Sequence, residues 1–305
     1  MKIESLTSWL RAARPRTVLL SLSGVMMGAF LSLDVKPNTN PWVLLFCALT
    51  AFTLQILSNL ANDYGDFVKG VDNDKRTGPQ RTLQSGSLTE LQMRNGIVVT
   101  AFMALVFGAL LLFVFVRLTW LELAIFVALG VAAVLAALLY TLGGHPYGYR
   151  GLGDLFCFLF FGWVAVAGTF YLSTRIVDFA VLLPATAMGC LSNAVLNINN
   201  MRDHDNDKAA GKNSLVVKMG LKKAFVYHCL LIGLSFVCLT IYLLLKQARY
   251  YQFAFWLLLP LFLRDLLDIK RNLDDGVPDN LLPKQVRNTF LLALAFGVLK
   301  IVILR

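Results

Sequence analysis

Charged residues and cysteines are scarce in this sequence of 305 residues, and their scarcity excludes two broad classes of protein. Only 15% of the residues are charged, whereas 57% are hydrophobic, and the mean hydropathy is +0.66. A soluble domain of this length could not cover so much apolar surface, so the composition places the chain in a lipid bilayer. The five cysteines stand singly, without CxxC or Cys/His spacing, which argues against a disulfide framework and a zinc site.

Long apolar runs take up most of the chain. A helix that crosses the hydrocarbon core needs about 20 mostly apolar residues, and nine segments qualify: 17–34, 41–61, 95–116, 119–142, 154–174, 177–198, 223–246, 250–264 and 286–304. No Ser/Gly-rich linker divides them. The sequence therefore predicts an all-α fold, a polytopic membrane bundle of about nine transmembrane helices around a central cavity. Residues 1–305 form one transmembrane domain in this prediction, with Asp-rich loops at about 62–94 and 199–222.

The distribution of positive charge predicts the orientation of the bundle. With a cytoplasmic N-terminus, the cytoplasmic segments carry 21 of the 28 Lys and Arg residues, as the positive-inside rule requires. The C-terminus then lies on the opposite side. The net charge of +10 is interpreted as topology together with attraction to lipid headgroups and anionic substrates, and not as a sign of nucleic-acid binding.

Two acidic clusters end predicted even-numbered helices, "NLANDYGDFVKGVDND" from 59 and "NNMRDHDNDKAAGK" from 199. Within them, Asn62 and Asp66 are four residues apart, as are Asp203 and Asp207, so each pair shares one helix face. Three residues of the first cluster recur 141 positions later in the second: Asn59, Asp66 and Gly70 correspond to Asn200, Asp207 and Gly211. The two helices run parallel in the predicted topology, so the clusters are expected to face one cavity.

Other interpretations of these carboxylates fit less well. Four carboxylates facing one space would repel each other unless cations bound between them, which disfavours a solvated surface. "DHDND" imitates the start of an EF-hand calcium loop, but Lys208 stands where that loop requires Gly. A cation-coupled membrane transporter stays open as an alternative of a different class, although transporter sites usually lie near the bilayer midplane.

A magnesium–diphosphate site fits the clusters better. Mg²⁺ takes one or two carboxylates per ion and fills its remaining positions with water and phosphate oxygens. Such a site stabilises a departing diphosphate and thereby favours ionisation of an allylic ester. A long apolar tail on that ester would explain why the site belongs to a membrane protein.

Five stretches of the chain resemble a known family. These are "WLRAARPRT", "LANDYGDFVKGVD", "GPQRTLQSG", "YTLGGHPYGYRGLGD" and "NNMRDHDNDKAAGKNSL". Together they resemble the intramembrane aromatic prenyltransferases of the UbiA superfamily, and most of all the branch that prenylates 1,4-dihydroxy-2-naphthoate in menaquinone biosynthesis. The likeness runs from Trp9 to about Gly297. One departure from the broad pattern is Gly70, where many members have Asp, so that Asp72 takes the third acidic place.

The resemblance implies an enzyme of the bacterial cytoplasmic membrane that uses Mg²⁺. It would transfer a polyprenyl group from polyprenyl diphosphate to 1,4-dihydroxy-2-naphthoate, with release of diphosphate and CO₂, to give demethylmenaquinol. Another aromatic acceptor, such as 4-hydroxybenzoate, stays open. By the same resemblance the catalytic and metal-binding residues are Asn62, Asp66, Asp72, Asp203 and Asp207, and the diphosphate-binding residues are Arg81, Arg202 and Lys212.

Further side chains carry two interpretations each. Arg14 is either an interfacial cation or a contact to the carboxylate of the aromatic substrate or to diphosphate. Tyr140 and Tyr147 are either aromatic-belt residues or groups that stabilise the allylic cation and position the acceptor. Gln55 either bonds within the bundle or lines the pocket. The acidic segment 265–279 is expected to be solvated surface.

Overall fold

The computed structural model describes residues 3–72, 80–273 and 276–302, and within these ranges the chain is helical and contains no strand. The all-α prediction is confirmed. The α-helices are α1 Ile3–Ala13, α2 Pro15–Val35, α3 Pro41–Val68, α4 Glu90–Leu110, α5 Trp120–Leu139, α6 Gly153–Cys157, α7 Thr169–Thr174, α8 Leu182–Arg202, α9 His204–Ala209, α10 Leu215–Met219, α11 Leu221–Leu245, α12 Leu259–Arg271 and α13 Leu281–Ile301. Two segments are π-helical, Leu111–Phe115 and Phe158–Gly168, and three are 3₁₀-helical, Tyr147–Arg150, Phe179–Val181 and Tyr250–Leu258.

Seven of the described helical segments are long and apolar enough to cross a membrane, which makes this a multi-pass membrane protein. The predicted number of nine is not confirmed. The segment predicted as the eighth span is divided between a 3₁₀ stretch and the amphipathic α12. The predicted ninth lies in α13, whose first half carries Lys284, Gln285, Arg287 and Asn288.

Local sequence signals explain where the long helices begin and end. Asn40 caps α3 by accepting a hydrogen bond from the backbone of Trp42, and Thr89 begins α4 with a complete capping box. The helix α3 ends only at Val68, seven residues beyond the predicted boundary, and it stops where Gly70 adopts a φ of +69°. Asn62 and Asp66 are therefore helical residues, held by the same rigid element that crosses the bundle.

The helix α8 lies at the centre of the bundle. Most of its residues are buried, and it packs against α11, α13 and the π-helical segment Phe158–Gly168. The last of these contacts is close because a Cβ on Gly162 would stand 2.6 Å from the carbonyl oxygen of Ala185 and 2.8 Å from the Cα of Gly189. Because α8 is fixed on several sides, Asp203 at its end also has a fixed position.

The acidic segment 265–279 departs from its prediction as solvated surface. Its first part belongs to α12, and there Asp265 is buried and accepts a hydrogen bond of 2.7 Å from the side-chain amide of Asn288. Amphipathic periodicity, which turns every third or fourth residue inward, outweighs the local density of charge. The prediction is wrong for Asp265, whereas Asp274 lies outside the described residues.

Candidate active site

A cavity of about 350 Å³ opens at the end of the bundle that carries both acidic clusters. We call this end, formed by residues 62–72 and 203–212, the acidic end. The deeper walls are made of apolar side chains from α2 to α8 and the two π-helical segments. Ten of the eleven residues predicted for the site line this cavity: Arg14, Asn62, Asp66, Asp72, Arg81, Tyr140, Tyr147, Asp203, Asp207 and Lys212.

Lys212 joins the two acidic clusters. Its Nζ lies 3.4 Å from Oδ2 of Asp66 and 3.6 Å from Oδ1 of Asp207, and all three side chains are buried. A second link runs from the side-chain amide of Asn206 to the backbone carbonyl of Val71, at 3.0 Å. The structure thus brings together the clusters that the 141-residue register relates.

The backbone repeats this relation. Gly70 and Gly211 both adopt the left-handed conformation, with φ of +69° and +73°. In each cluster the backbone N–H five residues after the aspartate donates to the carbonyl of that aspartate, over 2.9 Å after Asp66 and 2.8 Å after Asp207. Both helices therefore end in the same glycine-terminated turn, which is a common way to satisfy their last carbonyl groups.

Two arginines reach the cavity from outside the clusters. Arg14 stands between α1 and α2 with a φ of +50°, and the preceding residue is held by a 2.8 Å hydrogen bond from the Asn59 amide to the Ala13 carbonyl. The Arg14 guanidinium donates to Asp63, whose carboxylate also lies 3.4 Å from Nε of Arg81. The buried carboxylate of Asp63 thus balances charge from both guanidiniums.

Arg202 differs from the other predicted residues. Its guanidinium bonds both oxygens of Asp203, at 2.8 and 2.7 Å, and the amide oxygen of Asn199 at 2.9 Å. It is not among the described residues that line the cavity. The predicted contact between Arg202 and phosphate stays a prediction, and what the geometry gives is a fixed position for Asp203.

Aromatic side chains form the wall next to the acidic end. The rings of Tyr140 and Tyr147 meet edge to face at 5.4 Å between centroids, and the Tyr147 ring lies 4.3 Å from that of Phe156. The Tyr147 hydroxyl donates a hydrogen bond to the carbonyl of Ala136. Glycine is required at position 148 because the Cβ of any other residue there would stand 2.6 Å from the Tyr140 carbonyl oxygen. The wall therefore presents aromatic rings to the cavity.

Burial changes the acidity of groups at the acidic end. Burial raises the pKa of Asp207 to about 7, and the charges of Asp203 and Asp66 contribute further, while Lys212 opposes the shift. For Lys212, burial disfavours the charged form, but the two neighbouring aspartates outweigh it and raise the pKa of the ammonium group. Asp207 therefore binds its proton more tightly than an exposed aspartate does.

The donor set at the acidic end fits a hard divalent cation. Buried oxygens of Asn62 and Asp207 have no hydrogen-bond donor within the described part of the chain, and amide and carboxylate oxygens are the ligands that Mg²⁺ takes. In the same ranges no three carboxylate, imidazole or thiolate side chains form a ready-made cage. Such an arrangement suits an ion that takes its remaining ligands from water and from the phosphates of a substrate.

Sequence reasoning missed Tyr149. Its hydroxyl donates a 2.7 Å hydrogen bond to Oδ1 of Asp66, and its ring lies beneath the ammonium groups of Lys69 and Lys212 at 5.1 and 5.5 Å. The hydrogen bond raises the pKa of the Tyr149 hydroxyl, after the larger effects of burial and the Asp66 charge. The motif "HPYGYRG" contains two tyrosines, and only the 3₁₀ turn decides that Tyr149 faces the aspartate.

Hydrogen bonds among polar side chains near Arg14 define the role of Gln55, which the sequence left open. This residue lines the cavity, and its side-chain amide donates to Asn59 at 3.2 Å and to Thr17 at 3.5 Å. Thr17 in turn donates to the carbonyl of Arg14. Gln55 therefore does both things that the sequence allows: it bonds within the bundle and borders the pocket.

Comparison with known proteins gives matches over most of the chain. Residues 21–278 match the sequence model of the UbiA prenyltransferase family. The 1,4-dihydroxy-2-naphthoate octaprenyltransferase of Escherichia coli (strain K12) is 39% identical over 296 residues, which are 97% of this chain and 95% of that relative. A protein of the same name from Haemophilus influenzae is 39% identical over 260 residues, covering 85% of this chain and 84% of the relative.

A solved structure shares the fold. The UbiA homolog from Archaeoglobus fulgidus bound to GPP and Mg²⁺ aligns with a TM-score of 0.69 at 18% sequence identity. The alignment covers 96% of this chain and 99% of that one. At this identity the likeness establishes the common architecture of the two bundles.

Proposed function

The chain belongs to the UbiA prenyltransferase family, and on that premise we propose that it transfers a polyprenyl group from polyprenyl diphosphate to 1,4-dihydroxy-2-naphthoate. The products are demethylmenaquinol, diphosphate and CO₂. One observation carries the proposal: a cavity whose polar end joins two acidic clusters through Lys212 continues directly into an apolar interior. That combination matches a substrate with a charged head and a hydrocarbon tail.

The diphosphate would bind at the acidic end. Lys212, Arg14 and Arg81 line the cavity there and can donate charge-assisted hydrogen bonds to phosphate oxygens. Asn62, Asp66, Asp72, Asp203 and Asp207 would hold Mg²⁺, which supplies, when bound, electrostatic stabilisation of the charge that develops on the leaving diphosphate. Tyr149 and Arg202 would orient Asp66 and Asp203 through the hydrogen bonds that they donate.

The allylic cation would form against the aromatic wall. Tyr140 and Tyr147 border the cavity, and a ring face attracts a cation within about 6 Å of its centre. Because this wall is apolar, it also excludes the water that would capture the cation. The acceptor would lie beside this wall, with the ring carbon that bears its carboxylate facing the cation. The new carbon–carbon bond forms there, and the carboxylate departs as CO₂.

The prenyl tail would occupy the apolar interior. Gly108, Gly130 and Gly168 line this part of the cavity, and a Cβ built on Gly108 or Gly130 meets no atom within 4 Å. The absence of side chains there leaves room for a long hydrocarbon chain. We expect Gly130→Phe to slow transfer of an octaprenyl group more than tenfold while changing transfer of a geranyl group less than threefold, measured with the two donors in parallel.

The proposal includes the placement of the protein. We propose a single prenyltransferase domain over residues 1–305 in the bacterial cytoplasmic membrane, with a cytoplasmic N-terminus and the C-terminus opposite. The support is the excess of Lys and Arg at the acidic end. A cysteine introduced at Ser87 should react with an impermeant thiol reagent only after the membrane is opened, whereas one at Asn38 should react in intact cells. The reverse pattern would contradict the orientation.

One assay separates the proposed reaction from its alternatives. Purified protein receives octaprenyl diphosphate and either carboxyl-labelled 1,4-dihydroxy-2-naphthoate or 4-hydroxybenzoate, with Mg²⁺ or with EDTA. We expect labelled CO₂ and prenylated naphthoquinol only with the first acceptor and only with metal. Product from 4-hydroxybenzoate alone would identify a different acceptor, and full turnover in EDTA would contradict the metal site. Cation flux into vesicles without any prenyl donor would favour a transporter.

A further inference from the structure

Asp63 stands between the two predicted ligands of α3 and faces another direction. Asn62 and Asp66 share one helix face and line the cavity. Asp63 is rotated about 100° from its neighbour, its side chain is only 2% exposed, and it is not among the described residues that border the cavity. The carboxylate instead accepts a hydrogen bond from Arg14 and lies 3.4 Å from Nε of Arg81.

The two arginines held by Asp63 do face the cavity. Their side chains are 18% and 13% exposed, so both guanidiniums are largely removed from water. They come from separate parts of the chain and carry like charges, which repel at short range in a medium of low dielectric constant. Burial and the neighbouring charge of Arg14 lower the pKa of Arg81, and the carboxylate of Asp63 opposes that shift. The negative charge of Asp63 thus offsets the repulsion between the two buried arginines.

The arginines retain donors that Asp63 does not use. A guanidinium carries five N–H groups in a fixed plane, and Nε of Arg14 is buried without a hydrogen-bond partner among the residues that the structure describes. The hydrogen bond to Asp63 restricts the orientation of the Arg14 plane. Nε of Arg81 lies 3.4 Å from the same carboxylate without a hydrogen bond among the described residues, so charge attraction holds this second arginine. An anion in the cavity would meet both guanidiniums.

We infer that Asp63 is a positioning residue that holds Arg14 and Arg81 side by side for the diphosphate of the prenyl donor, and that it is not a metal ligand. This inference rests on the proposed function of the cavity. It assigns different tasks to two carboxylates of the same helix turn: Asp66 faces the cavity, and Asp63 faces the arginines. A residue that acts through two arginines and a residue that binds the ion leave different kinetic signatures.

The experiment compares Asp63→Asn with Asp66→Asn in the full-length protein in one detergent. KM for geranyl diphosphate, kcat and the Mg²⁺ concentration for half-maximal activity are measured, together with calorimetric binding of inorganic diphosphate in the presence of Mg²⁺. For Asp63→Asn we expect KM and the dissociation constant for diphosphate to rise about tenfold or more, with an unchanged Mg²⁺ requirement. Asp66→Asn should raise the Mg²⁺ requirement. An equal rise for Asp63→Asn would overturn the inference.

A double-mutant cycle tests whether Asp63 acts through the arginines. In an Arg14→Gln/Arg81→Gln background, adding Asp63→Asn should weaken diphosphate binding by less than twofold further, because its partners are gone. A full tenfold further loss would contradict the positioning role. Thermal unfolding accompanies each variant, and Asp63→Glu, which keeps the charge, should recover most of the binding if Asp63→Asn folds poorly. Failure of Asp63→Glu to recover binding in a folded protein would count against the inference.

The binding measurements also separate this inference from the proposed function. If the unaltered protein binds inorganic diphosphate with Mg²⁺, the cavity is a diphosphate site, and equal binding by Asp63→Asn then refutes only the positioning role. If the unaltered protein binds neither diphosphate nor Mg²⁺, the proposed function itself fails, and the inference fails with it.

Discussion

The two acidic clusters end their helices in the same way, yet different neighbours hold them. In the first, a continuous α3 carries Asp66, which accepts a hydrogen bond from Tyr149. In the second, the helix breaks at Asp203, which Arg202 holds from outside the cavity, and Asp207 follows in a short separate helix. The common backbone turn places one carboxylate from each side on Lys212. Asp66 and Asp207 thus both lie close to Lys212, although different neighbouring residues hold each of them in place.

The largest expected effect tests whether the two clusters are equivalent in function. Asp66→Asn and Asp207→Asn should each slow prenyl transfer by roughly two to three orders of magnitude, because a lost ligand interaction costs about 3–4 kcal/mol in the transition state. The matched control is Asp205→Asn, since this side chain in the second cluster is 98% exposed. It should change the rate less than twofold. A near-normal rate for either Asp66→Asn or Asp207→Asn would show that the two clusters are not equivalent in function.

Removal of a supporting group acts on the first cluster only. Tyr149→Phe deletes the hydroxyl that donates to Asp66, and loss of such an outer partner costs about 10- to 100-fold in metal affinity or activity. We expect the reduction in kcat to be accompanied by weaker Mg²⁺ binding. In the Asp66→Asn background the same change should have much less effect, and an undiminished effect there would show that Tyr149 acts elsewhere.

The pH dependence should come from the second cluster. Burial raises the pKa of Asp207 to about 7, so below pH 7 a proton occupies the carboxylate that Mg²⁺ needs. The dissociation constant for Mg²⁺, measured by calorimetry without substrate, should rise up to about tenfold per pH unit below 7 and level off above 8. Asp207→Asn should remove this slope, and a slope that persists in the variant would assign it to another group.

The smallest effect tests the shared turn. Gly70→Ala and Gly211→Ala should each destabilise the protein by about 1 kcal/mol, since a residue with a Cβ is strained at positive φ although both sites have open space. Gly233→Ala in α11, also with open space but in ordinary helix, should be neutral or slightly stabilising. Unfolding in detergent measures all three. A clear difference in unfolding free energy between Gly70→Ala and Gly211→Ala would show that the two turns contribute unequally to stability.

Patterns within the chain predicted a large part of this site. Runs of apolar residues located the main spans, and four-residue spacing together with the family resemblance selected side chains such as Asn62, Asp66 and Asp207 that do border one cavity. Periodicity could not predict which neighbours hold them. Tyr149 is placed by a 3₁₀ turn, and Arg202 turns outward because Asp203 and Asn199 offer it three close acceptors. Such choices depend on partners distant in sequence.

The cavity lining is charged at one end and apolar at the other, so the reaction separates its two products as it forms them. The donor carries a water-soluble head and an oil-soluble tail joined by one bond, and that bond would lie where the charged lining around Lys212 gives way to rings such as Phe160. Once it breaks, each fragment already adjoins the phase that dissolves it. Diphosphate then diffuses into water and the prenylated product into lipid. The reverse reaction would require the two to meet again in the cavity, where the aqueous and lipid phases adjoin.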